Sequence, residues 1–175
     1  MKNILILFVL LPSLAFAEDF MLKSGESTYT VSHLMKKVRA TSKELKGKVA
    51  CQETQCEFLI AVPVKSYVSS DSNRDENMQM TVESGKFPLA TAKGKFDREK
   101  FFASGTQTVP AEVTFHGIER TYQVTFKRID DSTMDADLNL KLTAHKIERP
   151  SLFGVSIDDE VPLSFHLVWE KSAAK

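Results

Sequence analysis

The sequence predicts an all-β protein with one short helix, folded as an antiparallel barrel of about eight strands. Three observations lead there. Apolar and polar residues alternate with period two through Val109–Phe126, Met134–Leu142 and Val161–Trp169, the repeat that sends successive side chains to opposite faces of a pleated sheet. Turn residues interrupt these runs at short intervals and leave no room for βαβ crossovers, so neighbouring strands pair antiparallel. Long alternating strands would leave exposed edges in an open sheet, and closure removes them. Eight strands enclose an interior that side chains just fill or that holds one small ligand. Periodicity does not choose between the two, and an open sandwich satisfies the same pattern.

The chain opens MKNILILFVLLPSLAFAEDF. Lys2 is a positive start, Ile4 to Leu14 an apolar run, and Ala15-Phe16-Ala17 a small-x-small cleavage site. The expectation is a secretory signal peptide over residues 1–17, cut after Ala17. Its apolar run is shorter than the ~20 residues of a membrane-spanning helix, and no cysteine follows the cleavage site to carry a lipid. Residues 18–175 are then expected to form a single domain with a substantial core. The 23 Lys and Arg residues balance 23 Asp and Glu residues, so charge gives no case for nucleic acid or an anionic membrane surface as a partner.

In chain order, Phe20–Leu22 and Thr28–His33 read as short strands split by Gly25, with Tyr29, Val31 and His33 on one face. The cationic stretch Met35–Lys48 fits either a short helix or a twisted strand facing solvent. Cys51 and Cys56 are expected to form a disulfide across a hairpin turn, because the protein is exported and a redox pair or zinc site would need other spacings. Phe58, Ile60, Val62 and Val64 share a face of the next strand, where Pro63 marks an edge or a bulge because it lacks a donor. Ser72 or Asn73 can cap a helix, with Asp75 or Glu76 completing a capping box and Gly85 and Pro88 ending it. Strands follow at Leu89–Phe96 and Phe101–Ser104, then the hairpin of Val113, Phe115, Tyr122, Val124 and Phe126 around a turn at HGIER, where Gly117 is free to take a positive φ. After the turn Asp130-Asp131-Ser132, the residues Met134, Ala136, Leu138, Leu140 and Leu142 alternate without exception. The connection to the last strand carries Pro150 and Gly154, with one helical turn expected around Ser151–Phe153. Val161, Leu163, Phe165, Leu167 and Trp169 then face inward, and Pro162, Ser164 and His166 outward.

With these residues in place, the chain resembles the YceI-like family. Arg74 and Asp75 at a helix start, the Lys86-Phe87-Pro88 step into a strand, and the Thr114, His116, Gly117, Ile118 hairpin match the family's motifs in order and spacing. Arg149-Pro150-Ser151 with Asp158–Trp169 matches its closing segment. The likeness runs from Thr28 onward. It departs at Met35–Lys48, at the Cys51/Cys56 pair, and at Val82-Glu83, where the family often has Phe-Phe. The resemblance implies a lipocalin-like barrel that holds a long amphiphilic isoprenoid lipid, such as a quinone, in an elongated cavity. It further implies export to the periplasm, frequent homodimers and no catalytic residues or catalytic cofactor.

An isoprenoid chain needs continuous apolar wall, and burial of each CH2 contributes about 0.8 kcal/mol. The expected wall is Phe58, Ile60, Val62, Val113, Phe115, Val124, Phe126, Leu138, Leu140, Leu142, Leu163, Phe165 and Leu167, with Met78 and Met80 as adaptable thioethers on the helix. The same residues would serve equally as plain core. His33, His116, His145 and His166 show no metal-ligand spacing, and His116 is expected to bond nearby backbone. Arg74 and Asp75 are expected to tie the helix start. The acidic run Asp158, Asp159 and Glu160 lacks a calcium-loop pattern and is expected to be solvated. No nucleophile elbow, phosphate loop or dinucleotide fingerprint occurs, so the expectation is a lipid-binding protein, with a ligand-free structural or interaction barrel as the alternative and an enzyme acting on a small amphiphile ranked after it.

Overall fold

The computed structural model describes residues 18–33, 36–102, 105–152 and 154–172. The expected signal peptide and its cleavage site at Ala17 lie outside them. The strands are β1 (Glu18–His33), β2 (Lys36–Ser42), β3 (Lys46–Cys51), β4 (Gln55–Pro63), β5 (Leu89–Asp97), β6 (Gly105–Phe115), β7 (Ile118–Arg128), β8 (Thr133–Lys141), β9 (Ser151–Leu152), β10 (Val155–Ser156) and β11 (Glu160–Lys171). Two helices, α1 (Ser72–Thr81) and α2 (Arg98–Phe102), interrupt them. Eight strands close a ring in the order β1-β3-β4-β5-β6-β7-β8-β11 and back to β1, each pair antiparallel. The lipocalin-like barrel expected from the sequence is what forms.

One position in the ring is shared. The first residues of β1, Glu18–Met21, pair with β3, whereas Ser27–His33 pair with β2. β2 therefore stands above β3 beside the same long strand, and β4 loses its β3 partner beyond Ala61. Pro63 is the last residue of β4 and pairs only with Leu89 of β5, so its missing N–H costs no ladder bond. Past Pro63, the backbone of Val68 bridges to Thr41 of β2 in both directions, at 2.9 and 3.0 Å. That bridge and α1 cover the split. This end of the barrel, with the split, α1 and the β6–β7 turn, is the upper end below; the Cys51–Cys56 turn marks the lower end.

The alternating strands behave as periodicity requires. Met134, Ala136, Leu138 and Leu140 of β8 are buried, and Leu138 and Leu140 face Leu163 and Val161 of β11. At the β6–β7 hairpin the turn is two residues, His116 (φ 49°) and Gly117 (φ 70°), with Phe115 opposite Ile118. Positive φ at both central residues gives the twist that a tight hairpin needs, and a Cβ on Gly117 would sit 2.5 Å from the Phe87 ring. Ile118–Arg120, expected in the turn, already belong to β7. The Cys51–Cys56 disulfide joins directly opposed residues of β3 and β4.

Several segments differ from expectation. Residues 18–33 form one strand with a bulge between Leu22 and Ser24, not two strands. Lys36–Lys48 divides between β2 and β3 because β1 offers both of them an edge, a tertiary fact that a basic composition does not carry; Met35 lies outside the described residues. Arg98–Phe102 is a short helix, where a strand was expected from Phe101. Helix α1 starts one residue earlier than expected. Asp71 is its cap, accepting from Arg74 N at 3.2 Å, and Asp75 turns away to accept from Ser69 N at 2.9 and 3.0 Å. The helix ends at Thr81, before Gly85, because Glu83 itself takes the left-handed conformation (φ 48°). Ser84 N then donates to Gln79 O and Glu83 N to Met80 O, the paired bonds that close a helix end around one left-handed residue. The helical turn expected near Ser151 occurs instead at Thr143–His145, and Ser151–Leu152 pairs with Val155–Ser156. Asp159 is not simply solvated: its carboxylate accepts from Thr143 N and Oγ1 at 2.9 and 2.7 Å, bonds that hold its pKa below the usual value.

Candidate functional site

The upper half of the barrel encloses a cavity of about 580 Å3. β4, β6, β8 and β11 supply its wall through Ile60, Val62, Val113, Phe115, Leu138, Leu140, Val161, Leu163 and Phe165, and Leu142 follows β8. Ala90 and Ala92 of β5 keep one side low. Over the top lie Met78 and Met80 of α1, Val82 beyond its end, and Ile147, Pro150 and Ile157 from the connection into β11. Nearly every contacting group is apolar. Arg74, Asn77, Thr81, Thr91, Tyr29 and Tyr67 are the exceptions, and three of these come from α1.

Of the residues that alternation placed facing inward, Ile60, Val62, Val113, Phe115, Leu138, Leu140, Leu142, Leu163 and Phe165 border the cavity, as do Met78 and Met80 expected from the helix. Phe58 and Phe126 do not; they sit in the lower half around a residual void of about 20 Å3. Val124 and Leu167 are buried and border neither space. The pattern reports which face a side chain takes. It does not report height along the barrel, and the barrel is hollow above and filled below. Tyr67, Val82, Ile147, Pro150 and Ile157 were missed because they lie in irregular segments that carry no period-two signal.

The polar groups beside the cavity are held in place. Tyr67 Oη and Ser27 Oγ hydrogen-bond at 2.7 Å in a buried setting, and the Tyr29 and Tyr67 rings lie 5.2 Å apart. Burial pushes both phenols up to about 12; at Tyr29 the Asp75 charge adds to burial, while at Tyr67 the Ser27 bond opposes it. Arg74 reaches Asp71 at 3.4 Å and stays half exposed, so its guanidinium remains open to water at the top of the cavity.

Beyond the wall, a histidine cluster fastens the β6–β7 turn. His145 is fully buried. Its Nδ1 lies 3.0 and 3.1 Å from the carbonyls of Phe115 and Ile118, so Nδ1 carries the proton and donates. Nε2 is then the acceptor for Tyr122 Oη at 2.9 Å, and Tyr122 in turn accepts from Lys141 N at 3.3 Å. Burial lowers the His145 pKa, with the two carbonyls opposing. His116 bonds the His145 carbonyl through Nδ1 and Glu83 through Nε2, both at 2.9 Å. Every ring nitrogen of this pair is used structurally. Among the described residues no group of three His, Cys, Asp or Glu side chains is placed to hold a metal ion.

The sequence matches the YceI-like domain over residues 20–169. The chain belongs to the YceI-like family. Solved structures agree on the fold. A polyisoprenoid binding domain from Saccharophagus degradans, implicated in plant cell wall breakdown, superposes with a TM-score of 0.69 at 17% identity, over 87% of this chain and 98% of that one. BcnA of Burkholderia cenocepacia gives 0.67 at 16% identity, over 82% and 95%. A YceI protein of Campylobacter jejuni gives 0.56 at 13% identity, over 82% and 90%. No curated protein matches the chain in sequence.

Proposed function

We propose that this YceI-like protein is an exported lipid-binding protein that holds the hydrocarbon chain of an amphiphilic isoprenoid, a quinone or a polyprenyl lipid, for sequestration, storage or transport in the periplasm. The observation that carries this reading is the cavity of about 580 Å3 with its almost wholly apolar wall, within the range of small-molecule sites. A chain inside it gains about 0.8 kcal/mol per methylene without any hydrogen bond. The polar head would stay at the top, where Arg74, Asn77 and Tyr29 gather. The polyisoprenoid-binding domain of Saccharophagus degradans, which shares the fold, supports the same ligand class.

Binding without catalysis suits the wall. Arg74 is the one ionisable group other than tyrosine among the described residues that border the cavity, and it stands at the mouth rather than over the enclosed chain. Acid–base chemistry on that chain would need a positioned proton donor or acceptor within hydrogen-bond reach.

Two measurements test the reading. Organic extraction of protein expressed with export, followed by mass spectrometry, should return a stoichiometric isoprenoid or quinone, and the intact mass should correspond to cleavage after Ala17. Leu140→Trp puts an indole into the wall, since Leu140 is buried and borders the cavity. It should reduce uptake of added quinone sharply while the far-ultraviolet circular dichroism stays that of a β-barrel. An empty extract together with no uptake by the unaltered protein would rule the proposal out.

A further inference from the structure

The cavity ends halfway down the barrel, and the reason is a cluster of three rings. Phe58 of β4 packs edge-on to Phe126 of β7 with centroids 5.3 Å apart. Phe96 of β5 lies 6.0 Å from Phe58 and 6.5 Å from Phe126. Gly94 stands directly opposite Phe58 on β5: an added Cβ there would stand 2.6 Å from Phe58 Cε1, so the Phe58 ring rests on bare backbone. The space left around the rings is about 20 Å3, room for about one water, against about 580 Å3 above. Ile60 is the layer between, touching the cavity above and the rings below.

We propose that this aromatic floor makes the site length-limited: about 580 Å3, filled at roughly the ~30 Å3 per heavy atom of liquid water, encloses about four isoprene units, and the rest of any longer chain stays outside the mouth. The limit rests on the lipid-binding reading above and sharpens its ligand class toward amphiphiles whose buried chain is short. The floor is fixed rather than adjustable because Phe58 has the Gly94 backbone on one side and the Phe96 and Phe126 rings packed against it. Opening a passage would require three packed rings to leave their contacts together. Ala92 of β5, which faces Ile60 across the sheet and borders the cavity, marks the height at which the enclosed chain must stop.

The test is a chain-length series on the full chain expressed with export. Affinities are measured for geraniol, farnesol, geranylgeraniol and solanesol, with two, three, four and nine isoprene units, by displacement of the fluorescent probe N-phenyl-1-naphthylamine. Affinity should rise tenfold or more with each unit up to geranylgeraniol, because each enclosed carbon contributes up to about fourfold, and solanesol should bind no tighter than geranylgeraniol. Phe58→Ala should let solanesol gain over geranylgeraniol. Ala92→Phe raises the floor without opening the lower core and should move the plateau down to farnesol, so the limit stays testable even if Phe58→Ala fails to fold. Solanesol binding tenfold tighter than geranylgeraniol, or an unmoved plateau in Ala92→Phe, would overturn the length limit while leaving lipid binding intact. Failure of all four prenols to bind would overturn the lipid-binding reading itself, and the limit with it.

Discussion

Gly94→Ala is the substitution whose cost the packing around the barrel floor defines most sharply. Gly94 lies between Phe58 of β4 and Ala111 of β6 in the sheet. A methyl group there would stand 2.6 and 2.9 Å from Phe58 Cε1 and Cζ and 2.9 Å from the Pro110 carbonyl oxygen. Carbon atoms rest at about 3.5–4.0 Å, so the overlap with the ring is roughly 1 Å. The ring cannot simply swing aside, since Phe96 and Phe126 flank it, and the carbonyl belongs to the neighbouring strand. Overpacking of this kind costs about 1–3 kcal/mol. Relief of the conformational freedom that glycine loses in a strand returns about 0.5–1 kcal/mol. The net expectation is a loss of about 1–2 kcal/mol, which for a chain of this size lowers the melting temperature by about 5 °C. Thermal melts followed by circular dichroism, with urea titrations alongside, measure it. A double-mutant cycle with Phe58→Leu should show a coupling of about 1 kcal/mol, because the smaller side chain makes room for the methyl. A Gly94→Ala protein that melts at the unaltered temperature would refute the reasoning: the Phe58 ring would then be free to move and the floor would not be rigid.

Three further predictions concern the rest of the frame. Tyr67→Phe leaves the fully buried Ser27 Oγ without the hydroxyl it bonds at 2.7 Å, and should cost about 1–3 kcal/mol in urea unfolding; adding Ser27→Ala should recover much of it. Reducing the Cys51–Cys56 bond, which closes a very short loop, should lower stability by about 2 kcal/mol, read as the shift of the urea midpoint with and without dithiothreitol. The third is a pH effect at His145. Burial lowers its pKa from 6.5, so the folded ring binds fewer protons than the unfolded one. The stability it contributes is therefore complete above 6.5 and is lost as the pH falls below that value toward the folded pKa. Melting temperatures measured from about pH 7 to about pH 5 should fall, and His145→Gln should flatten that fall; an equally steep decline in the variant would assign it to other groups.

The sequence determined the class of fold because the rule involved is local. Side chains in a strand alternate, so Met134 to Leu142 and Val161 to Trp169 declare their inward faces without reference to anything distant. The His116-Gly117 turn is equally local: a two-residue hairpin needs positive φ, and glycine supplies it. The cysteine pair likewise predicted its own bond, from its spacing and the export that the opening residues lead one to expect. Where the energetics depend on partners, local reading stopped short. The basic stretch after Met35 became two strands because β1 is long enough to offer an edge to each, and no property of those lysines encodes the length of another strand. Glu83 ended α1 in a conformation that favours glycine, at a position where its carboxylate meets His116 and Lys86. The site itself depended most on tertiary structure. Phe58 and Ile60 follow the same alternation, yet one is floor and the other cavity wall. What separates them is height in the barrel, fixed by strand register, by the missing side chain at Gly94, and by three phenyl rings that meet from different strands. An inward-facing residue is legible from sequence; whether it borders empty space depends on what stands across from it.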